Sequence, residues 1–324
     1  MLGVFRAVVL GGVLTLAGCA RHQAVPQPER PVKVSMLEYV QPGDQLFEII
    51  NRGAKDAARA LGVDLNIQYA SMDPLMMNTL IDSAIARKVD GIAVTINNDV
   101  AYQGALCRAQ KAGITVVAFN VDSSKGGADA CRSAFFGQDL ETAGYTLGKR
   151  LVATGRIKRG DLVFTPVEFA DASYAVLRNR GIARALAEVG ARTEIVGTGN
   201  NPPDVLDKMQ QYLLGHRDAK AIITMGSVTG RMAVRAADGA GRPDILIATF
   251  DNSTEITDGI QSGRIVATAD QQPYAQGFYA VTALALAARY GLAPSDVGTG
   301  SRGLTDKPSL AKVKNVSSLL GTYR

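Results

Sequence analysis

The 324-residue chain has no tryptophan, two histidines, three cysteines and only 6% aromatic residues. Two histidines leave no basis for a histidine-rich metal site. Three cysteines are too few for a disulfide scaffold or a multi-cysteine zinc protein. Charged residues make up 20% against 47% hydrophobic, a balance too apolar for disorder. The basic residues are scattered among acids, the formal net charge is only +5, and no basic stripe with interleaved aromatics marks a nucleic-acid surface. There is no G-x-x-x-x-G-K-[ST] phosphate loop, which excludes a P-loop ATPase, and no G-x-S-x-G nucleophile elbow. Gly298-Thr299-Gly300-Ser301-Arg302-Gly303 has the letters of a dinucleotide loop but follows a helical stretch, without the strand-to-helix setting such a loop needs. No cofactor is expected.

What is present begins at the first residues. Arg6 is the only charge before Cys19, and it precedes an apolar run from Ala7 to Ala17. That run is too short to span a bilayer comfortably and ends in small residues, as a cleavable export signal does. Leu16-Ala17-Gly18-Cys19 is similar to the bacterial lipoprotein box. The resemblance implies a signal over residues 1–18, lipid on Cys19, and an exported chain anchored to a membrane of the cell envelope, in the periplasm. Residues 19–31 are polar and proline-rich and read as an extended tether, which also holds His22. In an oxidising compartment Cys107, on a predicted helix, and Cys131, in a glycine-containing loop, are free to pair; spacing alone does not decide whether they do.

From Val32 onward short β-branched runs alternate with amphipathic stretches. The strands are expected at Val32–Glu38, Asp64–Tyr69, Gly91–Ile96, Ile114–Asn120, Ala134–Gly137, Asp161–Thr165, Thr193–Gly197, Ala221–Met225, Ile245–Phe250 and Ile265–Ala269. Most are continuous apolar runs, as in strands covered on both faces. Regular β–α alternation implies an α/β fold with parallel sheets, because parallel strands need crossovers. Ten strands are many for one open sheet, so two Rossmann-like lobes are expected, dividing near Phe136-Gly137-Gln138.

Several segments in register then carry a resemblance to the ribose- and galactose-type periplasmic sugar-binding proteins of bacterial ABC transporters. They include Gly53-Ala54-Lys55-Asp56-Ala57-Ala58, Lys88-Val89-Asp90-Gly91-Ile92, Phe136-Gly137-Gln138-Asp139 and Arg178-Asn179-Arg180-Gly181. Ala248-Thr249-Phe250-Asp251 and Ala267-Thr268-Ala269-Asp270-Gln271-Gln272-Pro273-Tyr274 complete the set. The resemblance runs from about Val34 to Thr282. It implies two lobes joined by a three-strand hinge, with crossings near Ala134–Gln138, Ala267–Gln271 and Thr299–Leu304. The N-terminal lobe would be residues 31–135 plus 271–299, and the C-terminal lobe 137–267 plus 303–324.

In open α/β sheets ligands bind beyond the carboxyl ends of the strands. Polar residues there are Asn97, Asn120, Asn200, Ser227, Asp251 and Gln271, with neighbours Asn98, Asp122 and Asn201. Amides and carboxylates suit a sugar because each hydroxyl both donates and accepts. The resemblance adds Arg180 as the arginine that binds sugar hydroxyls, and matches Asp251 and Gln271 to two further binding positions. Asn120 stands where ribose-type members carry Asp, and Gly226 where many carry Asn or Asp, which leaves Ser227 as a substitute. Stacking falls to Phe47, with Tyr39, Tyr174 and Phe169 behind it, and Asp44 either caps the first helix or touches ligand. Met72, Met76 and Met77 read as packing residues.

The expected function is the binding component of an ABC transporter, not an enzyme. It would deliver a sugar or sugar-like polyol to the membrane permease, as a monomer without nucleic acid. A sugar-signal receptor feeding a membrane sensor or chemoreceptor is the alternative, and an exported sugar-modifying enzyme a more distant one.

Overall fold

The computed structural model describes residues 30–123 and 127–321. The expected export signal, Cys19 and nearly all of the tether lie outside the described residues.

The chain opens with β1 (Val32–Glu38), α1 (Gln45–Leu61), β2 (Val63–Tyr69), α2 (Pro74–Ala86), β3 (Gly91–Val94), α3 (Asp99–Lys111), β4 (Thr115–Phe119) and β5 (Ala134–Gly137). It then crosses through α4 (Leu140–Val152) into β6 (Leu162–Val167), α5 (Ser173–Ala187), β7 (Arg192–Gly197), α6 (Pro202–Gly215) and β8 (Ala219–Ile223). The second lobe continues with α7 (Ser227–Gly239), β9 (Leu246–Phe250), α8 (Thr254–Ser262) and β10 (Ala267–Ala269). The chain returns through α9 (Pro273–Tyr290) to β11 (Val297–Gly298), and crosses a third time to β12 (Leu304–Thr305) and α10 (Leu310–Leu320).

Two six-stranded sheets result, ordered β11-β5-β4-β3-β1-β2 and β12-β10-β9-β8-β6-β7. All pairings are parallel except β10 with β12. In each sheet the strand order reverses beside the first strand of the lobe, between β1 and β3 and between β6 and β8. Such switch points open a crevice at the strands' carboxyl ends.

The sheets are stable because both faces are covered. In the first lobe Met36, Ala93 and Val117 meet Phe47, Ile50, Val281 and Leu284 on one side. Ile92, Val94 and Val116 meet Ile81, Tyr102 and Leu106 on the other. Each fully buried Val, Leu or Ile contributes about 1.5–3 kcal/mol. Short polar side chains start the helices: Asp44, Asp73, Asn98, Asp139, Asn201 and Ser253 each accept a backbone N–H of the first turn. Of the three methionines near α2, only Met77 is in the core; Met72 and Met76 are exposed, the first in the turn before the helix.

Two helix pairs are joined backbone to backbone. A Cβ on Gly181 would lie 2.0 Å from the Glu141 carbonyl oxygen, and one on Gly144 2.1 Å from that of Arg178, so α4 and α5 pack at their closest. Gly53 and Gly277 do the same for α1 and α9. The crossings are tied to one another: Thr299 N–H donates to Gly137 O (2.8 Å), Gln138 Nε2 to Gly300 O (3.2 Å) and Gln276 Nε2 to Thr299 Oγ1 (3.2 Å). The Gly298–Gly303 run is therefore a connection between sheets. A disulfide joins Cys107 on α3 to Cys131 ahead of β5, with Cα atoms 5.0 Å apart.

Candidate functional site

The carboxyl ends of β4, β9 and β10 bring three predicted residues together. Asn120 Nδ2 donates to Gln271 Oε1 (3.1 Å) and to Gln276 Oε1 (3.1 Å). Gln271 Nε2 in turn donates to Asp251 Oδ1. A continuous relay thus runs from the first lobe through a crossing into the second, and all its side chains are buried. Asn120, Asp251 and Gln272 hold left-handed backbone, with φ of 60°, 69° and 54°. Strained backbone of this kind is kept where a site needs it.

Arg178, 4% exposed, lies beside the relay. Its guanidinium stands 4.2 Å over the Phe250 ring and 5.6 Å from that of Tyr174. Nη1 donates to Met225 O, while Nε is buried without a partner among the described residues. Burial raises the Asp251 carboxyl, and Arg178 and the Gln271 hydrogen bond pull it back down. A second carboxyl group, that of Glu168, directly follows β6: Oε1 accepts from Val228 N–H (2.8 Å) and Thr229 N–H (3.3 Å), and Oε2 from the Tyr174 hydroxyl (3.3 Å). Tyr39 comes to this group from the switch point of the first lobe. Burial raises its hydroxyl, and Asp44, Arg178, Glu168 and Asp251 all act on it electrostatically.

The remaining predicted residues are distributed differently. Arg180 is exposed and pairs with Glu141 (3.5 Å) on the outer face of α5. Two residues on a helix are about 200° apart, so Arg178 and Arg180 cannot both face the cleft, and the structure assigns it to Arg178. Phe47 is 2% exposed and lies in the core, edge-on to Tyr39 (5.5 Å between ring centres) and Phe119 (6.3 Å). It backs the cleft aromatic rather than being one. Asp44 caps α1 through Leu46 and Phe47 N–H groups at the cleft rim. Asn97 accepts from the Tyr102 hydroxyl (2.9 Å) within its own lobe, and Asn200 is exposed after the edge strand β7. Neither joins the relay. Ser227 opens α7 and, with Asp251, lines a cavity of about 950 Å³ between α1 and the α7–α8 side. Across it Arg231 Nη1 donates to Gln45 Oε1 (2.8 Å).

The sequence reading did not single out Glu168, and it named Arg180 where the structure buries Arg178. Both signals were there. Ala175, Arg178, Ile182 and Ala185 follow the three-and-four spacing of the buried face of α5, and Glu168 directly follows an apolar strand as Asp251 does.

The arrangement offers hydrogen-bond donors and acceptors around aromatic rings, and no group of His, Cys, Asp and Glu among the described residues could hold a metal ion. Comparison with known proteins fits it. The family model described as periplasmic binding protein domain matches residues 39–292. The xylose/arabinose-binding protein XylF of Sulfolobus acidocaldarius is 26% identical over 304 residues, covering 86% of this chain and 72% of that protein. The D-ribose/D-allose-binding protein of Pseudomonas aeruginosa is 25% identical over 249 residues, covering 75% of this chain and 72% of the other. Among solved structures, a carbohydrate transporter from Acidothermus cellulolyticus in complex with myo-inositol is 30% identical with a TM-score of 0.81, covering 90% of this chain and 99% of that one.

Proposed function

The chain belongs to the periplasmic binding protein domain family as a sugar- or polyol-binding component of an ABC transporter, and from that premise we propose that its ligand is one neutral polyhydroxy ring, a cyclitol or an aldose. The observation that carries this reading is the buried Asn120–Gln271–Asp251 relay beside Arg178. Ligand hydroxyls would accept from Arg178 and donate to Asp251, and the C–H face of the ring would pack on Tyr39 and Tyr174. A buried Glu168 and Asp251 against a single Arg178 disfavour a ligand acid or phosphate, since a further negative charge there would have no partner. The bound myo-inositol of the 30%-identical structure supports a cyclitol as the first compound to try.

The mechanism follows from the relay. Ligand would bind one lobe, and contacts from the other would favour closure by the difference in its affinity for the two forms. The permease would read the closed shape. A thermal-shift screen of myo-inositol, aldoses, sugar acids and nucleosides tests the ligand class. A ligand at a hundred times its dissociation constant adds about 2.7 kcal/mol of stability. No shift with any neutral sugar or polyol, or a shift only with sugar acids, would refute it.

Membrane anchoring through lipid on Cys19 is part of the same proposal, supported by the Leu16-Ala17-Gly18-Cys19 box and the proline-rich segment after it. Labelled palmitate should enter the full chain and not Cys19→Ala; equal labelling, or none in either, would refute it.

A further inference from the structure

The N-terminus of α7 lacks something its backbone would allow. Its N-cap is Gly226, at φ −141° and ψ 169°, an extended conformation open to any residue. N-cap positions favour Asn, Asp, Ser and Thr, whose side chains accept a first-turn N–H. Neither backbone strain nor helix preference therefore calls for glycine. The neighbourhood does: a Cβ at 226 would stand 1.6 Å from Glu168 Oε2 and 2.5 Å from Oε1. The carboxylate of Glu168 fills the volume that a side chain at 226 would occupy, and its Oε1 takes the Val228 and Thr229 N–H groups that an N-cap side chain would take.

Resting on the reading of the cleft as a sugar or polyol site, we propose that Glu168 is a specificity-determining residue, delivered into the lobe-two crevice from β6 because Gly226 leaves the room. Oε1 is committed to the helix. Oε2 meets the Tyr174 hydroxyl, and Tyr39 and Asp251 lie within its electrostatic reach. Glu168 directly follows β6 at the switch point between β6 and β8, where a crevice opens at the strands' carboxyl ends. An acceptor oxygen there selects ligands that place a hydroxyl donor against it and rejects those that lack one, because a buried acceptor left without its donor is costly. Residues 168 and 226 share one volume, so a polar group can come from either but not from both.

The test uses wild type, Glu168→Gln, Glu168→Ala, Gly226→Asn and the double variant Glu168→Ala/Gly226→Asn. Each is titrated calorimetrically with myo-inositol, D-ribose, D-xylose and their monodeoxy analogues, and melted without ligand. Glu168→Gln should fold normally, bind roughly ten- to hundredfold more weakly, and lose discrimination against one deoxy analogue. Gly226→Asn should weaken binding and lower the ligand-free melting temperature by displacing the carboxylate. The double variant should melt above Gly226→Asn and regain at least part of the affinity lost in either single variant, since Asn then occupies the vacated volume. Losses that simply add in the double variant overturn the shared volume. Unchanged affinity and discrimination in Glu168→Gln overturn the specificity role while leaving the sugar reading intact. A wild-type chain that binds none of these compounds overturns the sugar reading itself, and the role of Glu168 with it.

Discussion

Glu38 ends β1 inside the first lobe, fully buried, with Asn51 Nδ2 3.5 Å from Oε2 and no partner for Oε1 among the described residues. Burial pushes its carboxyl up from 4.5 to about 8; the Asn51 hydrogen bond pulls the other way, and the charges of Glu48 and Asp44 add to the rise. The folded chain therefore keeps a proton on Glu38 at pH values where the unfolded chain has released it. Where the folded state binds more protons, stability falls as pH rises. The loss begins near the ordinary value and levels off above about 8. Each pH unit costs about 1.4 kcal/mol, which gives roughly 3 kcal/mol at pH 7 and at most about 5 kcal/mol above pH 8. Glu38→Gln keeps the shape of the protonated acid and removes the titration. It should match wild type near pH 4 and exceed it by roughly 3 kcal/mol at pH 7, read from urea unfolding midpoints at steps between these pH values and above. A difference that does not change with pH, or a Gln variant less stable at pH 7, would show that the carboxylate is ionised and satisfied in the fold, and the reasoning would fail.

Arg178→Ala should weaken ligand binding at least tenfold, because a hydrogen bond to a charged group is worth about 1.5–3 kcal/mol. Arg180→Ala removes only an exposed ion pair worth about 1 kcal/mol or less and should bind as wild type; the reverse result would restore the sequence assignment. Breaking the Cys107–Cys131 disulfide by substituting both cysteines with serine should lower stability by roughly 3 kcal/mol, from the 24-residue loop it closes, and an unchanged unfolding midpoint would refute this. Gly181→Ala forces α5 away from the Glu141 carbonyl and the Tyr145 N–H of α4. It should destabilise the second lobe by at least about 1–3 kcal/mol, whereas a neutral effect in urea unfolding would show that the helices can part freely.

The alternation of elements was readable because most strands are continuous apolar runs, β2 and β7 at the sheet edges being the mixed ones. Val32–Glu38 and Ala134–Gly137 are observed with the expected bounds. Glu168 escaped notice because the strand was expected to end at Thr165, which leaves residue 168 away from the strand's carboxyl end. In the structure β6 runs on to Val167: Pro166 is in register with Val196 of β7, and its carbonyl accepts from Met225 N–H (3.0 Å) just beyond β8. The arginine went astray for a different reason. A segment match places Arg178-Asn179-Arg180 as a block, and only helical periodicity says which of the two guanidiniums turns inward. Phe47 was read as an aromatic available to ligand, but position on a helix does not reveal whether another ring, here Tyr39, stands in front of it.

The backbone contacts of α4 with α5 and of α1 with α9 have a mechanical consequence. Helices whose glycines touch the facing carbonyls cannot slide past one another, so each pair acts as a single stiff beam. One end of each beam begins at a crossing, α4 just after β5 and α9 just after β10. The partner helix of the first beam carries Arg178, and that of the second starts at the cleft rim with Gln45. A twist of the crossing segments is thus geared directly to Arg178 and to the Gln45 end of α1. The bending has to be absorbed by the few residues of the crossings, as rotation of two rigid arms rather than as shear within either lobe.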